Sequence, residues 1–234
     1  MTQFHTSPNC KECENCNSKS PLFRILPEED LAILNNNRYE VKFKAGENII
    51  KQGTASSHVI SLTTGLAKMY IEGFNNRNLI LKIVKPWQVF GGPGIYIDNR
   101  YHYSVTALEA SAACFIDVNN FKEVVRRNPD FMELYMRNQS LNTSRTYERF
   151  ISLTQKQMHG RIADVLIYLS NEIYDSQAFD LTISRQDIAD LSSMSKDSAI
   201  RILKELEHEG VITANGKKIE IRQLNVLKEI ALRG

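Results

Sequence analysis

Near residue 120 the hydrophobic period of the chain changes, and this limits the possible folds more than any other feature. From about 39 to 118 apolar residues fall in short alternating or β-branched runs: YEVKF, ENIIKQG, HVISL, LAKMYI, LILKIV, YSVTAL and ACFIDV. Gly, Asn and Pro separate them. A period of two places successive side chains on opposite faces of a strand, so the region reads as an antiparallel sandwich or barrel. Beyond about 120 the spacing turns helical and stays so almost to the end. The expected class is therefore α+β, strands first and helices after. The fragment FGGPGIYIDNRY (90–101), richest in Gly, reads as a tight or functional loop.

Ahead of the strands, SPLFRILPEEDLAILNN (20–36) carries an apolar stripe at Leu22, Phe23, Ile25, Leu26, Leu31 and Leu34. The stripe suits a short amphipathic helix, with Glu28, Glu29 and Asp30 as its acidic first turn. After the strands, Pro129 sits where a first-turn residue should and opens about two dozen helical residues. Met136, Thr143 and Phe150 recur there every seven residues, with Gln139 and Thr146 between them. This half-polar heptad seam fits a surface helix packed on its own barrel, or a weak helix–helix dimer contact.

GRIADVLIYLSNEI (160–173) is a further amphipathic helix, followed by SRQDIADLSSMSKDSAIRILKELEHEGVI (184–212) and ANGKKIEIR (214–222). Ser184 with Asp187 forms a capping-box pattern, Ser195 caps a second helix, and Asn215-Gly216 signals a hairpin turn. Two helices around a Ser-rich break, closed by a hairpin, make a winged helix-turn-helix. On a helix starting after Ser195, the residues Lys196, Asp197, Ile200, Arg201 and Lys204 share one face, and Ala199, Ile202, Leu203 and Leu206 turn inward. Arg201 can pair bidentately with guanine, and Asp197 can accept from cytosine. Lys196, Lys204, Lys217 and Lys218 suit phosphates. Arg185, Ser195 and Ser198 complete the expected DNA-contacting set. Residues 156–234 hold 11 Lys and Arg against 12 Asp and Glu, so DNA affinity needs a basic face set apart from the acidic run Glu205-Leu206-Glu207-His208-Glu209.

Three of the four cysteines lie close together in NCKECENC, as Cys10, Cys13 and Cys16. The fourth, Cys114, stands alone in ASAACFID. The N-terminus has no apolar signal-peptide region, and no apolar run approaches the roughly 20 residues a membrane helix needs. A cytoplasmic location is expected, where clustered cysteines more often hold metals or act as redox thiols than form disulfides. The residues alone leave open zinc, an iron–sulfur cluster, redox thiols or an inert tail, and Cys114, between Ala-Ala and Phe-Ile, reads by composition as a buried core cysteine ahead of a ligand. Enzymatic function has little to rest on. Ser193-x-x-Lys196 falls inside the helix-turn-helix break without companion motifs, and His5, His58, His102, His159 and His208 are scattered.

Together these stretches resemble the CRP/FNR family of bacterial transcription regulators over nearly the whole chain. FKAGENIIKQG (43–53) is similar to that family's β-roll turns, ALEASAACFIDVNNF (107–121) to the run leading into its long helix, and ISRQDIADLSSMSKDSAIRILKELEHEGVITANGKKIEI to its winged helix. The resemblance implies a cyclic-nucleotide-binding-like jelly roll (21–128) behind a Cys-rich segment (1–20). A dimerisation helix (129–153) and a winged helix-turn-helix (154–234) follow. It further implies a homodimer that binds double-stranded promoter DNA and meets RNA polymerase.

The cyclic-AMP-binding branch carries a Glu and an Arg-Ser in its phosphate cassette. Here Gly92 stands at the Glu position, and Tyr101, His102 and Tyr103 stand around the Arg-Ser positions, with Arg100 nearby. In the FNR branch three N-terminal cysteines and one β-roll cysteine hold a [4Fe–4S] cluster. By resemblance Cys10, Cys13, Cys16 and Cys114 would hold it here, although C-x2-C-x2-C is tighter than the FNR spacing. The effector implied is oxygen or nitric oxide; a small molecule or haem is the alternative. The FNR-type recognition helix has Glu and Ser where Asp197 and Ile200 stand, so a different operator base is expected.

Overall fold

The computed structural model describes residues 19–234. Cys10, Cys13 and Cys16 lie outside the described residues. Two compact units emerge: the described residues through Glu72 with Lys82–Asn142, and Gly73–Leu81 with Thr143–Gly234.

The first unit begins with a single 3-10 turn, Pro21–Phe23, capped by Ser20. The helix α1 (Glu28–Asn35) follows, with Glu28, Glu29 and Asp30 in its first turn. The 3-10 turn breaks the expected helical period, so Ile25 faces solvent while Leu22, Phe23 and Leu26 are buried. Five strands come next: β1 (Tyr39–Phe43), β2 (Asn48–Ile50), β3 (His58–Thr64), β4 (Ala67–Glu72) and β5 (Asn78–Val84). Then come β6 (Val89–Phe90), the one-turn α2 (Gly94–Ile97), β7 (Ser104–Ala107), β8 (Ser111–Asp117) and α3 (Val118–Arg127).

The strands form two four-stranded sheets of order β1-β8-β3-β6 and β2-β7-β4-β5. Successive strands alternate between the two sheets except at β4 and β5, which are neighbours in one sheet, and this is jelly-roll topology. Ile60, Leu62, Ala67, Ile80, Val105 and Ala113 are fully buried. A second apolar layer covers the other face of the first sheet, where Val59 and Ile116 cluster with Leu22, Phe23, Leu31, Leu34, Phe121 and Phe131. Both faces of β3 and β8 are thus buried, which is why HVISL and SAACF are near-continuous apolar runs instead of alternating ones. Asp117 caps α3 by accepting from Asn119 N at 2.7 Å and Asn120 N at 3.2 Å.

α4 runs from Pro129 to Gln155, 27 residues, or about 40 Å at the helical rise. Phe131 is its buried side chain. The second unit continues with α5 (Met158–Tyr168), which passes into a π turn at Leu169–Ile173, then β9 (Ala178–Asp180), α6 (Arg185–Leu191) and α7 (Lys196–His208). β10 (Ile212–Asn215), β11 (Lys218–Ile221) and α8 (Leu224–Arg233) complete it. The small sheet has order β10-β11-β9, three strands where the sequence suggests a two-stranded hairpin. Its turn is Gly216-Lys217, with Gly216 at φ +59°, one residue later than expected. Ile162, Leu166, Leu169, Ile188, Ala199, Ile202, Ile212, Ile219 and Leu227 form a fully buried core. No described helix is long and apolar enough to cross a membrane.

The capping box at the start of α6 is present in both directions: Ser184 Oγ accepts from Asp187 N, and Asp187 accepts from Ser184 N. Ser184→Ala is expected to cost about 1 kcal/mol, read as a lower urea midpoint with an unchanged m-value.

Candidate nucleic-acid interface and cysteine site

Three serines build the turn between α6 and α7. Ser192 is buried and its hydroxyl donates back to Ile188 O at 2.8 Å. Ser193 adopts a left-handed backbone at φ +51°, which redirects the chain within one residue. Ser195 then caps α7, its Oγ accepting from Ser198 N at 3.1 Å and donating to Ser198 Oγ at 2.8 Å. The cap fixes the phase of α7. Ala199, Ile202, Leu203 and Leu206 are buried, whereas Lys196, Asp197, Arg201 and Lys204 are exposed and Ile200 is half-buried. The structure thus places all five residues of the expected base-reading face on the accessible side of one helix. Lys217 and Lys218 are exposed at the wing turn.

Arg185 stands apart from these. Its Nη2 donates to Gly216 O at 3.0 Å, tying the first turn of α6 to the wing turn, and Nη1 is buried without a hydrogen-bond partner. Burial pulls its pKa below the usual guanidinium range, with Glu207 opposing the shift. Arg185 braces the wing. Two residues outside the expected DNA-contacting set complete the surface, and one of them, Glu205, heads the acidic run expected to lie apart from the basic face but pairs with it instead. Glu205 Oε1 accepts from Arg201 Nη1 at 2.6 Å, and its Oε2 lies 2.7 Å from His159 Nε2 on α5. These bonds, His159 first and Arg201 second, hold the Glu205 carboxyl below its ordinary pKa. Arg201, Lys204, Glu205, His208 and Glu209 line a shallow depression of about 390 Å³.

In the jelly roll Cys114 is buried on β8, opposite Glu40 of β1 and Ser61 of β3. Arg38 Nη1 donates to its Sγ at 3.1 Å, and Asn35 Oδ1 holds Arg38 Nε at 3.0 Å. Among the described residues no three or more His, Cys, Asp or Glu side chains form a group that could hold a metal ion. Cys10, Cys13 and Cys16 lie outside them. Beside Cys114, Phe115 stacks on Tyr39 at 5.3 Å, and His58 meets both rings edge-on. Burial lowers the His58 pKa against a weaker opposing pull from Asp117. A histidine whose folded pKa lies below its unfolded value of about 6.5 makes stability fall as pH drops through that value. The loss of urea midpoint between pH 7.5 and 5.5 should shrink in His58→Gln; an unchanged slope would rule out His58 as its source.

The Gly-rich loop is filled from within. Gly92 has φ +78°, and a Cβ there would lie 3.1 Å from the Tyr103 ring. Tyr103 is buried and its phenol pKa is raised by that burial. Arg100 Nη1 donates to Gly53 O at 2.8 Å. A Glu at position 92 would therefore crowd the Tyr103 ring and hold a left-handed backbone, and the nearby Arg100 already donates to the backbone.

Along α4 the expected seam residues Met136 and Phe150 are each 57% exposed. Gln139 is half-buried, and Thr143 and Thr146 are exposed. Met132, Tyr147 and Ile151 widen this apolar stripe beyond the sequence-based set.

Known proteins match both units. The sequence model for a cyclic nucleotide-binding domain matches residues 40–128, and that for a Crp-like helix-turn-helix domain matches 160–230. The transcriptional activator protein Anr of Pseudomonas aeruginosa is 25% identical over 97% of this chain and 93% of its own length. The transcriptional activator protein FnrL of Cereibacter sphaeroides is 26% identical over 81% of this chain and 79% of its own. Among solved structures, FixK2 from Bradyrhizobium japonicum superposes with a TM-score of 0.75 at 17% identity, covering 82% of this chain and 96% of that one. With its jelly roll, long helix and winged helix-turn-helix, the chain belongs to the CRP/FNR family of DNA-binding transcription regulators.

Proposed function

We propose that the protein is a homodimeric regulator that reads operator DNA with α7. On this reading a [4Fe–4S] cluster held by Cys10, Cys13, Cys16 and Cys114 makes binding respond to oxygen or nitric oxide. The observation that carries the DNA reading is the phase of α7. Its cap turns Lys196, Asp197, Ile200, Arg201 and Lys204 outward together, where an N-terminal recognition-helix face meets base edges. Ser195 and Ser198 stand at the tip of the helix, suited to a phosphate. Lys217 and Lys218 would track the backbone beside it, and Arg185 would contribute by holding the wing. The exposed stripe on α4, from Met132 to Ile151, would pair with a second copy. Its polar positions keep that pairing weak enough for an effector to shift it. RNA polymerase is the expected partner at promoters, in the cytoplasm.

The donor set fits the cluster. Four thiolates is the count a [4Fe–4S] centre takes, and ferredoxins begin their ligand run C-x2-C-x2-C. A guanidinium donating to Cys114 Sγ favours the thiolate that ligation needs. Leu22 and Phe23, next to the buried Ser20, pack in the layer that holds Ile116, two residues beyond Cys114 on the same face of β8. Cys16, Cys13 and Cys10 precede Ser20 by four, seven and ten residues, a tether of at most about 35 Å. When bound, the cluster would supply an oxygen-labile structural link between the N-terminal segment and β8. Gly92 against Tyr103 and Arg100 on Gly53 speak against a cyclic-phosphate effector at the loop.

The test is anaerobic purification with iron and sulfide analysis, a visible spectrum, and DNA binding before and after exposure to air. Iron, sulfide and air-sensitive binding are expected. A colourless, iron-free protein that binds DNA equally in both conditions would sink the cluster reading and favour a small-molecule or haem effector.

A further inference from the structure

We propose that Glu205 is the positioning residue for Arg201 and so sets how sharply the protein discriminates bases in its operator. This rests on the reading of Arg201 as a base contact. An arginine on an exposed helix face samples many rotamers, and ordering it on binding costs free energy. Here one oxygen of the Glu205 carboxylate accepts from Arg201 Nη1 at 2.6 Å. The other lies 2.7 Å from His159 Nε2. Arg201 and Glu205 sit one turn apart on α7, and His159 is in the first turn of α5. The carboxylate is thus anchored by a second helix, and through it the guanidinium is held before DNA arrives. Among the described residues Nη1 is the engaged nitrogen of Arg201, which leaves the remaining N–H groups for a guanine edge.

Glu205 has a second, opposite effect. A carboxylate on a surface that meets DNA repels phosphates and weakens sequence-independent affinity. Removing its charge should therefore lower discrimination while leaving non-specific affinity unchanged or raised. Loss of fold would lower both, so the combination separates positioning from a purely structural role.

The experiment uses the full-length chain under the atmosphere in which it binds, with a duplex it selects from a randomised pool. Comparison duplexes replace each half-site guanine by adenine, and an unrelated duplex measures non-specific binding. In Glu205→Gln the ratio of affinities for selected over substituted duplex should fall by roughly tenfold, with affinity for the unrelated duplex equal or higher. Glu205→Asp, which keeps the charge but shortens the arm, should also lower the ratio, and His159→Asn should lower it less. In an Arg201→Ala background Glu205→Gln should change that ratio no further, while affinity for the unrelated duplex stays equal or rises. An unchanged ratio in Glu205→Gln and Glu205→Asp would overturn the proposal, as would an equal loss in the Arg201→Ala background. If Arg201→Ala itself leaves the ratio intact, the base-contact reading fails and the proposal falls with it.

Discussion

Arg201→Ala should abolish sequence-specific DNA binding while leaving the fold and the proposed dimer in place. Arg201 is on the exposed face of α7 and contributes nothing to the buried set Ala199, Ile202, Leu203 and Leu206. An exposed truncation of this kind normally changes stability by less than about 0.5 kcal/mol. Each bidentate arginine–guanine pair contributes about 1–3 kcal/mol of discrimination, and a dimer has two. The expected loss is therefore about 2–6 kcal/mol, or roughly 30-fold to 20,000-fold in affinity for the operator. Lys204→Ala provides the contrast. If its ammonium faces phosphate as proposed, removing it should weaken binding to all duplexes about equally and reduce the salt slope by about one unit.

Cys114→Ser carries the second large effect. If Cys114 supplies the fourth thiolate, iron should fall from about four atoms per chain to background. The fold should survive. Serine is close to cysteine in size, and Arg38 Nη1 already points a donor at this position. A buried hydroxyl with a partner costs little, about 1 kcal/mol by comparison with related changes. Air sensitivity of DNA binding should disappear together with the iron. Retention of full iron in Cys114→Ser would remove this residue from the ligand set.

How much of the molecule is legible in the sequence depends on how local the determining interaction is. β1 coincides with YEVKF, and the Ser184–Asp187 box and the Ser195 cap appear where expected, because pattern and cap act within a few residues. β6 and β9, at two and three residues, are too short to carry a period. Ile25 departs from the expected helical stripe because a 3-10 turn at Pro21–Phe23 breaks the phase before α1. At the candidate site, the Arg201–Glu205 pair is legible as an i,i+4 spacing, but His159 is not. It meets Glu205 across 46 positions of sequence, through the packing of α5 against α7. Arg38 reaches Cys114 across 76. The widened stripe on α4 is half visible: Met136 and Phe150 lie on the heptad, whereas Met132, Tyr147 and Ile151 become apparent only through their exposure.

The central claim is that α7 reads DNA as one half of a two-fold dimer. Footprinting the full-length protein on a duplex it has selected from a randomised pool tests this most directly. The predicted result is two protected half-sites related by a dyad, with major-groove centres about one helical turn, roughly 34 Å, apart, and loss of both protections in Arg201→Ala. A single asymmetric footprint, or one that persists unchanged in Arg201→Ala, would contradict it.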